Sequence, residues 1–330
     1  MKKGVLIPII IGSVLLAGSA TFGVFAYLSL KDNPSITNTY VVSNPFTKID
    51  INVETTNIKI EPSIDTNCYV VCNEYEKEKH NVDLVSDALT IRTVDERTWF
   101  EKLISRPKYI VLSVPASAYQ SLTIVSATGD IEVKGDITYS DVNIKVSTGD
   151  VSLLSHVAHE AKIESTTGFV NVEKNHLQNL TAKSTTGGIK ISECQILSPI
   201  QLNASTGDIS IISSNVKDVT AETTTGRIKI EDSQVGALSL TNTTGKHSLI
   251  RSVALGDITI NSTTGDVQFV ESDGANITVT TTTGDIYGSL LTTKLFSTKT
   301  STGSVNIPDS GGTYQCKLTT TTGDINITIA

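Results

Sequence analysis

Acidic side chains recur at one place in this chain, directly after a Thr-Gly pair. If the repeats stack as strands, aspartates of neighbouring repeats lie about 5 Å apart, where two carboxylates could bind calcium or shift each other's pKa. The candidate pairs are Asp130 with Asp150 and Asp266 with Asp285. We favour the simpler interpretation that aspartate at a turn bonds nearby backbone. Six of the eleven Thr-Gly pairs carry it: Asp130, Asp150, Asp208, Asp266, Asp285 and Asp324.

Paired aspartates also suggest a carbohydrate-active enzyme on a β-helix. Such enzymes need long loops to build a cleft, and the spacing of 19 or 20 residues between successive glycines leaves no room for them. We therefore expect no enzyme, no catalytic residue and no cofactor, and we place the enzyme third among the functional hypotheses.

Histidines offer a second candidate metal site. His156, His159 and His176 fall in turns of adjacent repeats, with Glu160 nearby. Imidazole and carboxylate are zinc ligands, but this spacing matches no known zinc site. Ordinary surface histidines are the favoured interpretation.

The elements that must position these residues follow from aligning the repeats on their glycines. Residues seven and five before the glycine, and two and four after it, are mostly apolar, which is the alternation of strands with one buried face. Small residues such as Ser126 and Ser165 stand three before the glycine, as expected near a tight corner. The glycine itself supplies the positive φ for a bend. The pattern predicts an all-β, single-stranded parallel β-helix (β-solenoid) of about 11 coils of 19–20 residues, with a right-handed coil favoured.

Threonine precedes every one of the eleven glycines. In register, these hydroxyls can form a ladder that satisfies neighbouring polar groups. In the later repeats of the chain, the outward positions are also threonine-rich, a pattern that some ice-binding solenoids use. Solvated strands are commonly threonine-rich, and charged residues interrupt the array, so ice binding is disfavoured. The interrupting residues are Lys145, Glu164, Lys183, Glu222 and Lys299.

The N-terminal segment predicts a membrane anchor. Lys2 and Lys3 precede an uncharged run over residues 4–30, longer than the roughly 20 residues that cross a bilayer. A cleaved signal peptide is the alternative, but the apolar run continues past its usual length. The lysines place the N-terminus in the cytoplasm, so we expect a single-pass cell-membrane protein with an extracellular solenoid. The predicted divisions are anchor 1–30, tether 31–39, N-terminal strands and cap 40–120, and regular repeats 121–330.

Two features concern the ends of the solenoid. Residues 95–105 break the strand pattern and include Trp99 and Phe100, which we interpret as a cap on the N-terminal end or, alternatively, as an interaction surface. The last repeat still alternates to Ala330 with no polar cap behind it. Such an open coil is a template for strand addition, which makes self-association a functional alternative.

Composition narrows the partners. Hydrophobic residues make up 38% of the chain and aromatic residues 5%, which fits a thin solenoid core, and the net charge is -8. Acidic residues outnumber basic ones, which argues against nucleic acid and against general adsorption to anionic polymers. Cys68 and Cys72 stand four apart on one predicted strand, too far for a disulfide. All four cysteines are expected to be free, buried thiols.

Several of these features resemble a bacterial putative-adhesin family, domain of unknown function 4097, over about residues 40–330. The similarity rests on the N-terminal anchor, the aromatic insertion at Trp99 and Phe100, and the repeated Ser-Thr-Gly-Asp-Ile of residues 205–209. It implies a β-solenoid and carries no catalytic residues. We expect a membrane-anchored binding, adhesion or scaffold module of the cell envelope. Its partners would be wall polymer, an envelope protein or a second copy of the chain.

Overall fold

The computed structural model describes residues 34–99, 101–103 and 106–330, and this part of the chain is a parallel β-solenoid. The predicted all-β solenoid is confirmed. Successive repeats pair in parallel and in register, as Thr206 does with Thr225 and Thr225 with Thr244. Beside the strands, the described residues contain one 3-10 turn, Glu101–Leu103.

The strands of the first half are as follows: β1 Ile36–Val42, β2 Lys48–Thr55, β3 Asn57–Pro62, β4 Cys68–Glu74, β5 Glu78–Val85, β6 Ala88–Asp95, β7 Tyr109–Val114, β8 Ala118–Thr128, β9 Ile131–Thr148, β10 Val151–Thr167, β11 Val170–Glu173, β12 His176–Thr186, β13 Ile189–Ser192, β14 Gln195–Ile196 and β15 Ile200–Thr206. The strands of the second half are as follows: β16 Ile209–Ile212, β17 Asn215–Val216, β18 Val219–Thr225, β19 Ile228–Glu231, β20 Gln234–Val235, β21 Leu238–Thr244, β22 His247–Ile250, β23 Val253–Ala254, β24 Ile258–Thr264, β25 Val267–Ser272, β26 Ile277–Thr283, β27 Ile286–Leu290, β28 Leu295–Lys299, β29 Val305–Asn306, β30 Gln315–Thr319 and β31 Ile325–Ile329.

A regular coil has three strands and three corners, as β15, β16 and β17 show. The first corner, at the Thr-Gly pair, joins the long strand to the second strand. The second corner follows the second strand and turns the chain into a strand of two residues. The third corner leads to the long strand of the next coil. We call the outward sides of these strands the first, second and third faces.

Inward side chains stack into apolar columns along the solenoid. Ile209 pairs with Ile228 and Leu202 with Ala221, and all four are buried. Fully burying an isoleucine or leucine side chain contributes about 1.5–3 kcal/mol, so these columns are a large source of stability.

Small polar residues three before the glycine are also buried, and their role is specific. Ser184 donates through its hydroxyl to the carbonyl of Gly168, at 3.0 Å, and Thr223 donates likewise to Gly207, at 3.0 Å. A small side chain fits inside the tight first corner, and its hydroxyl satisfies the carbonyl of the previous coil's glycine.

At the N-terminal end, stacking order differs from chain order. Strand β2 lies between β8 and β6, so that Ile49 has Leu122 as partner on one side and Leu89 on the other. Strand β3 likewise lies between β9 and β7. Thr55 pairs with Thr128, so β2 and β3 form an early coil whose first corner has no glycine. Antiparallel strands then close this end: β5 on β6, β4 on β7, and β1 on β4.

The C-terminal end shows the same interleaving. Cys316 pairs with Ile277 on one side and with Phe296 on the other. The last repeat in sequence, β30 and β31, therefore lies inside the stack, and the preceding repeat, β28 and β29, is outermost. Our expectation of an open final repeat was wrong, because residues 291–309 pass over that level and cover it.

The predicted membrane segment lies outside the described residues. Within the described ranges, no helix has the length and apolar character needed to cross a bilayer. Strand β1 begins at Ile36, inside the predicted tether of residues 31–39.

Candidate functional sites

The first corner requires glycine for two reasons. The eleven repeat glycines have φ between +138° and +159°, which side-chain-bearing residues rarely adopt. A Cβ on Gly245 would also lie 2.0 Å from the carbonyl oxygen of Gly226 in the preceding coil. Glycines therefore stack directly on one another at this corner.

The aspartates after the glycines hold the coils together. The Oδ1 atom of Asp130 accepts the backbone N–H of Asp150 at 2.9 Å, and that of Asp266 accepts the N–H of Asp285 at 3.0 Å. Neighbouring aspartates are thus adjacent as predicted. The bonded backbone belongs to the next coil, however, and not to the aspartate's own turn.

An aspartate has the same acceptor role when the residue after the glycine of the next coil is not aspartate. Asp208 accepts the backbone N–H of Arg227 at 2.8 Å, and the Arg227 guanidinium reaches the same carboxylate at 2.7 Å. Among the described residues, the aspartate pairs do not join a third His, Cys, Asp or Glu in a cluster of metal-ligand size. The geometry explains these aspartates as acceptors between coils.

The three candidate histidines do not converge. His156 is buried and turned into the core, where its Nδ1 lies 3.3 Å from the carbonyl of Ile137. Burial lowers its pKa below the usual value. His159 and His176 are exposed and line a shallow groove on the third face with Val157. The structure therefore does not bring the candidate zinc ligands together, and His156 is buried where we favoured a surface histidine.

Threonines before the glycines are in register, as predicted, and exposed. Farther from the corner, the interleaved C-terminus places Thr319 directly beside Thr280, and Thr280 beside Asn261. Lys299 therefore lies on the outermost coil and does not interrupt the threonines. We call the resulting uncharged array the threonine face, which consists of Thr241, Thr243, Asn261, Thr263, Thr280, Thr282, Thr319 and Thr321.

A compact group of chemically versatile side chains lies inside the N-terminal end. Cys72, Glu74 and His80 are all buried, and their ligand atoms lie within 4.8 Å of one another. Glu74 Oε2 is 3.0 Å from His80 Nδ1 and accepts the backbone N–H of His80 at 2.6 Å. Burial lowers the pKa of His80, while Glu74 acts in the opposite direction.

The adjacent carboxylate, Glu78, is in a different environment. It is buried and forms ion pairs with Lys108 and, at 2.8 Å, with Arg97. Arg97 also pairs with Asp95 at 2.9 Å. This buried charge is therefore compensated by lysine and arginine.

The buried cluster of Cys72, Glu74 and His80 was not predicted from the sequence. The available signal was the alternation in β4, where Cys68, Val70, Cys72 and Glu74 all share the buried parity of the strand. A carboxylate at a buried position requires a partner, and the sequence offers His80 on the next strand as a candidate.

The aromatic insertion is only partly described. Trp99 is 68% exposed, and Phe100 lies outside the described residues. The antiparallel strands β1, β4 and β5 close this end of the sheet. Both interpretations of this insertion, a cap and an interaction surface, therefore stay predictions.

The outermost C-terminal coil is open on its far side. Within the described chain, β28 pairs with β30 alone and β29 with β31 alone. Leu295 and Val305 on these strands are 46% and 44% exposed. Lys294, just before β28, is buried and forms an additional contact with the stack, an ion pair with Asp273 at 2.7 Å.

The sequence matches the Toastrack DUF4097 family over residues 46–209 and again over residues 197–328. No curated protein matches the chain. Solved structures similar to it include a putative adhesin from Bacteroides fragilis, with 13% identity, TM-score 0.33, and coverage of 89% of this chain and 97% of that one.

Two proteins of Parabacteroides distasonis are also similar. A putative adhesin has 13% identity and TM-score 0.43, covering 77% of this chain and 97% of its own. A putative lipid binding protein has 14% identity and TM-score 0.36, covering 88% of this chain and 96% of its own. Because the two family matches together span nearly all of the solenoid, the chain belongs to the Toastrack DUF4097 family.

Proposed function

We propose that the chain is a binding module of the cell envelope that acts without catalysis. Residues 1–30 anchor it in the membrane with the N-terminus in the cytoplasm, and the solenoid stands on the extracellular side. The lysine pair before an uncharged run supports this orientation.

The observation that carries the proposal is the threonine face. It extends over four stacked coils, bounded by Glu222 on one side and by Lys299 on the other. Strands stack about 4.8 Å apart and alternate residues repeat about 6.7 Å along a strand, so the threonine hydroxyls and the Asn261 amide form a regular array. This shape suits contact with an extended partner.

The chemistry of the face favours a neutral, hydroxyl-rich polymer of the cell wall. Each threonine hydroxyl can donate and accept, and its β-branched side chain loses little rotamer freedom on binding. The net charge of -8 disfavours anionic polymers.

The role of the aspartates supports a function without catalysis. Carboxylates that accept backbone N–H groups between coils, such as Asp130 and Asp266, serve the stack. Among the described residues, neither belongs to a group of three or more possible metal ligands.

Co-sedimentation of the full chain with cell-wall glycan stripped of anionic polymers tests the binding. We expect the pair Thr241→Glu and Thr280→Glu to weaken retention at least about 10-fold, since buried charge without a partner is costly. The matched control is Ser248→Glu with Gln268→Glu, which puts the same charge on the second face. Equal retention of both variants would contradict a role of the threonine face.

Orientation is tested separately in intact cells. A membrane-impermeant amine reagent should label the surface lysines of the solenoid, such as Lys145 and Lys183. Labelling only after the cells are opened would refute the extracellular placement.

A second candidate is end-to-end assembly, which the open edges of β28 and β29 favour. An unpaired strand edge with exposed Leu295 and Val305 is a template for another chain. The surface concerned is the outermost coil, and not the last repeat in sequence.

Light scattering and small-angle scattering of the full chain over a range of concentrations test assembly. Growth in discrete rod lengths is expected, and Leu295→Lys should abolish it. Leu255→Lys, at an exposed position midway along the side of the solenoid, is the control for a change of charge. An elongated particle of constant mass would exclude this candidate.

A further inference from the structure

We propose that Cys72, Glu74 and His80 form a binding site for a divalent cation of the Zn²⁺ class at the N-terminal end of the solenoid. The donor atoms are the Cys72 sulfur, a carboxylate oxygen of Glu74 and Nδ1 of His80. They lie within 4.8 Å of one another on β4 and β5, and all three residues are buried.

The donor set matches the chemistry of zinc. Thiolate, imidazole and carboxylate are its usual protein ligands, and three protein ligands leave one position of a tetrahedral ion for water. On binding, the Cys72 thiol loses its proton to solvent and a sulfur–metal bond forms. One thiolate and one carboxylate then balance the two positive charges, so the buried site is neutral.

The charges around the two buried glutamates show which one requires a cation. Glu78 has Lys108 and Arg97 as partners. In the described part of the chain, Glu74 pairs with no lysine or arginine, and its one ion-pair partner is His80. A buried carboxylate beside a thiol and an imidazole is the arrangement that a metal ion would compensate.

Outer contacts orient two of the three ligands. His80 Nε2 lies 3.1 Å from Thr56 Oγ1, so an imidazole bound through Nδ1 can donate its Nε2–H to this hydroxyl. Asn38 donates to Glu74 Oε1, and the backbone N–H of His80 donates to Oε2. Such second partners fix ring and carboxylate orientation in metal sites.

An ion can reach the site through the edge of the sheet. Asn38 lies on β1, which pairs with β4 and with no other described strand. Local opening of an edge strand costs less than opening the stack. Once bound, the ion joins β4 to β5 and, through Asn38 and Thr56, engages β1 and the turn after β2.

The test is titration of the full chain with Co²⁺ after chelator treatment. We expect one equivalent of Co²⁺ to bind with a cobalt–thiolate charge-transfer band, and Zn²⁺ to displace it. Cys72→Ser and His80→Gln should each lower the affinity at least about 100-fold, because loss even of outer partners costs about 10- to 100-fold. Cys68→Ser is the matched control, since Cys68 is also buried on β4 but outside the cluster.

X-ray absorption of the unaltered chain loaded with Zn²⁺ keeps the test decisive if a variant fails to fold. One sulfur neighbour with nitrogen and oxygen neighbours supports the site. Absence of stoichiometric binding, a metal shell without sulfur, or an unchanged band in Cys72→Ser would overturn it and leave Glu74 and His80 as a buried hydrogen-bonded pair.

Discussion

The first and second corners of each coil turn the same chain by different means. At the first corner, glycines with φ from +138° to +159° stack directly on one another. At the second corner, non-glycine residues take φ between +45° and +61°, as Ser213 and Asp232 do. Residues with side chains are sterically allowed at this φ, which lies in the small left-handed region.

Polar side chains on the inner side of the second corner complete the turn. Ser233 accepts the backbone N–H of Ser214 at 3.1 Å and donates to the carbonyl of Glu231 at 2.7 Å. Ser252 does the same one coil farther on. The first corner is thus determined by the close approach of backbone in neighbouring coils, which only glycine permits. The second corner is determined by side-chain hydrogen bonds, which several residue types can form.

The largest effect is expected at the first corner. Gly245→Ala would place a Cβ 2.0 Å from a backbone oxygen at a φ of +142°. Strain of the backbone and overpacking together should lower the free energy of unfolding by about 3–5 kcal/mol. Urea unfolding followed by circular dichroism measures it.

Gly256→Ala is the control within the same coil. A Cβ there would meet its nearest atoms at 3.4 Å, an ordinary contact. We expect a change within about 1 kcal/mol. If both glycines tolerate alanine equally, close approach of the backbone does not define the first corner.

This difference explains what could be predicted from sequence. The first corner was visible because glycine is the residue that fits it, so that Gly207 and Gly226 mark the period directly. The second corner was not recognised, because Lys174, Glu193 and Ser213 share a conformation and no side-chain chemistry. The buried residues on the inner side of the second corner were also not predicted, since Asn175, Cys194 and Ser214 are different residue types at one position.

The ends of the solenoid could not be predicted for another reason. The repeat specifies that Ile325 needs a parallel neighbour, but Ile286 and Val305 both satisfy that need. Stacking order depends on the connections before β28 and between β29 and β30, residues 291–294 and 307–314, which lie outside the repeat pattern. The same ambiguity applies to Ile49, which lies between two later strands.

A second prediction concerns the buried polar groups near each corner. The serines of the second corner are hydrogen-bonded, whereas His247, two residues after a first-corner glycine, is buried and neither ring nitrogen has a partner among the described residues. Burial lowers its pKa to about 4. Between pH 6.5 and 4 the unfolded chain binds a proton that the folded chain does not, so stability falls as the pH falls.

His247→Val should remove this dependence, because valine occupies the equivalent position at Val151 and Val267. The variant should gain about 3 kcal/mol over the wild type at pH 4 relative to pH 7. Parallel urea titrations at several pH values measure the difference. Identical pH profiles would show that His247 has a partner or is accessible to water.

The third prediction tests whether the second corner depends on its hydrogen bonds. Ser233→Ala leaves the N–H of Ser214 and the carbonyl of Glu231 without this partner and should cost about 1–2 kcal/mol. Ser248→Ala, on the second face, should change stability by less than about 0.5 kcal/mol. Equal losses in urea unfolding would indicate that the inner serine column contributes packing alone.

The smallest effect is expected where the second corner is changed to the residue of the first. Ser213 is exposed at a φ of +50°, so Ser213→Gly relieves a left-handed conformation while it adds entropy to the unfolded chain. These terms oppose each other, and the free energy of unfolding should change by less than about 1 kcal/mol. A large loss in thermal or urea unfolding would mean that the Ser213 side chain itself holds the turn. Each corner would then depend on one residue type, and the two corners would be less different than their geometry indicates.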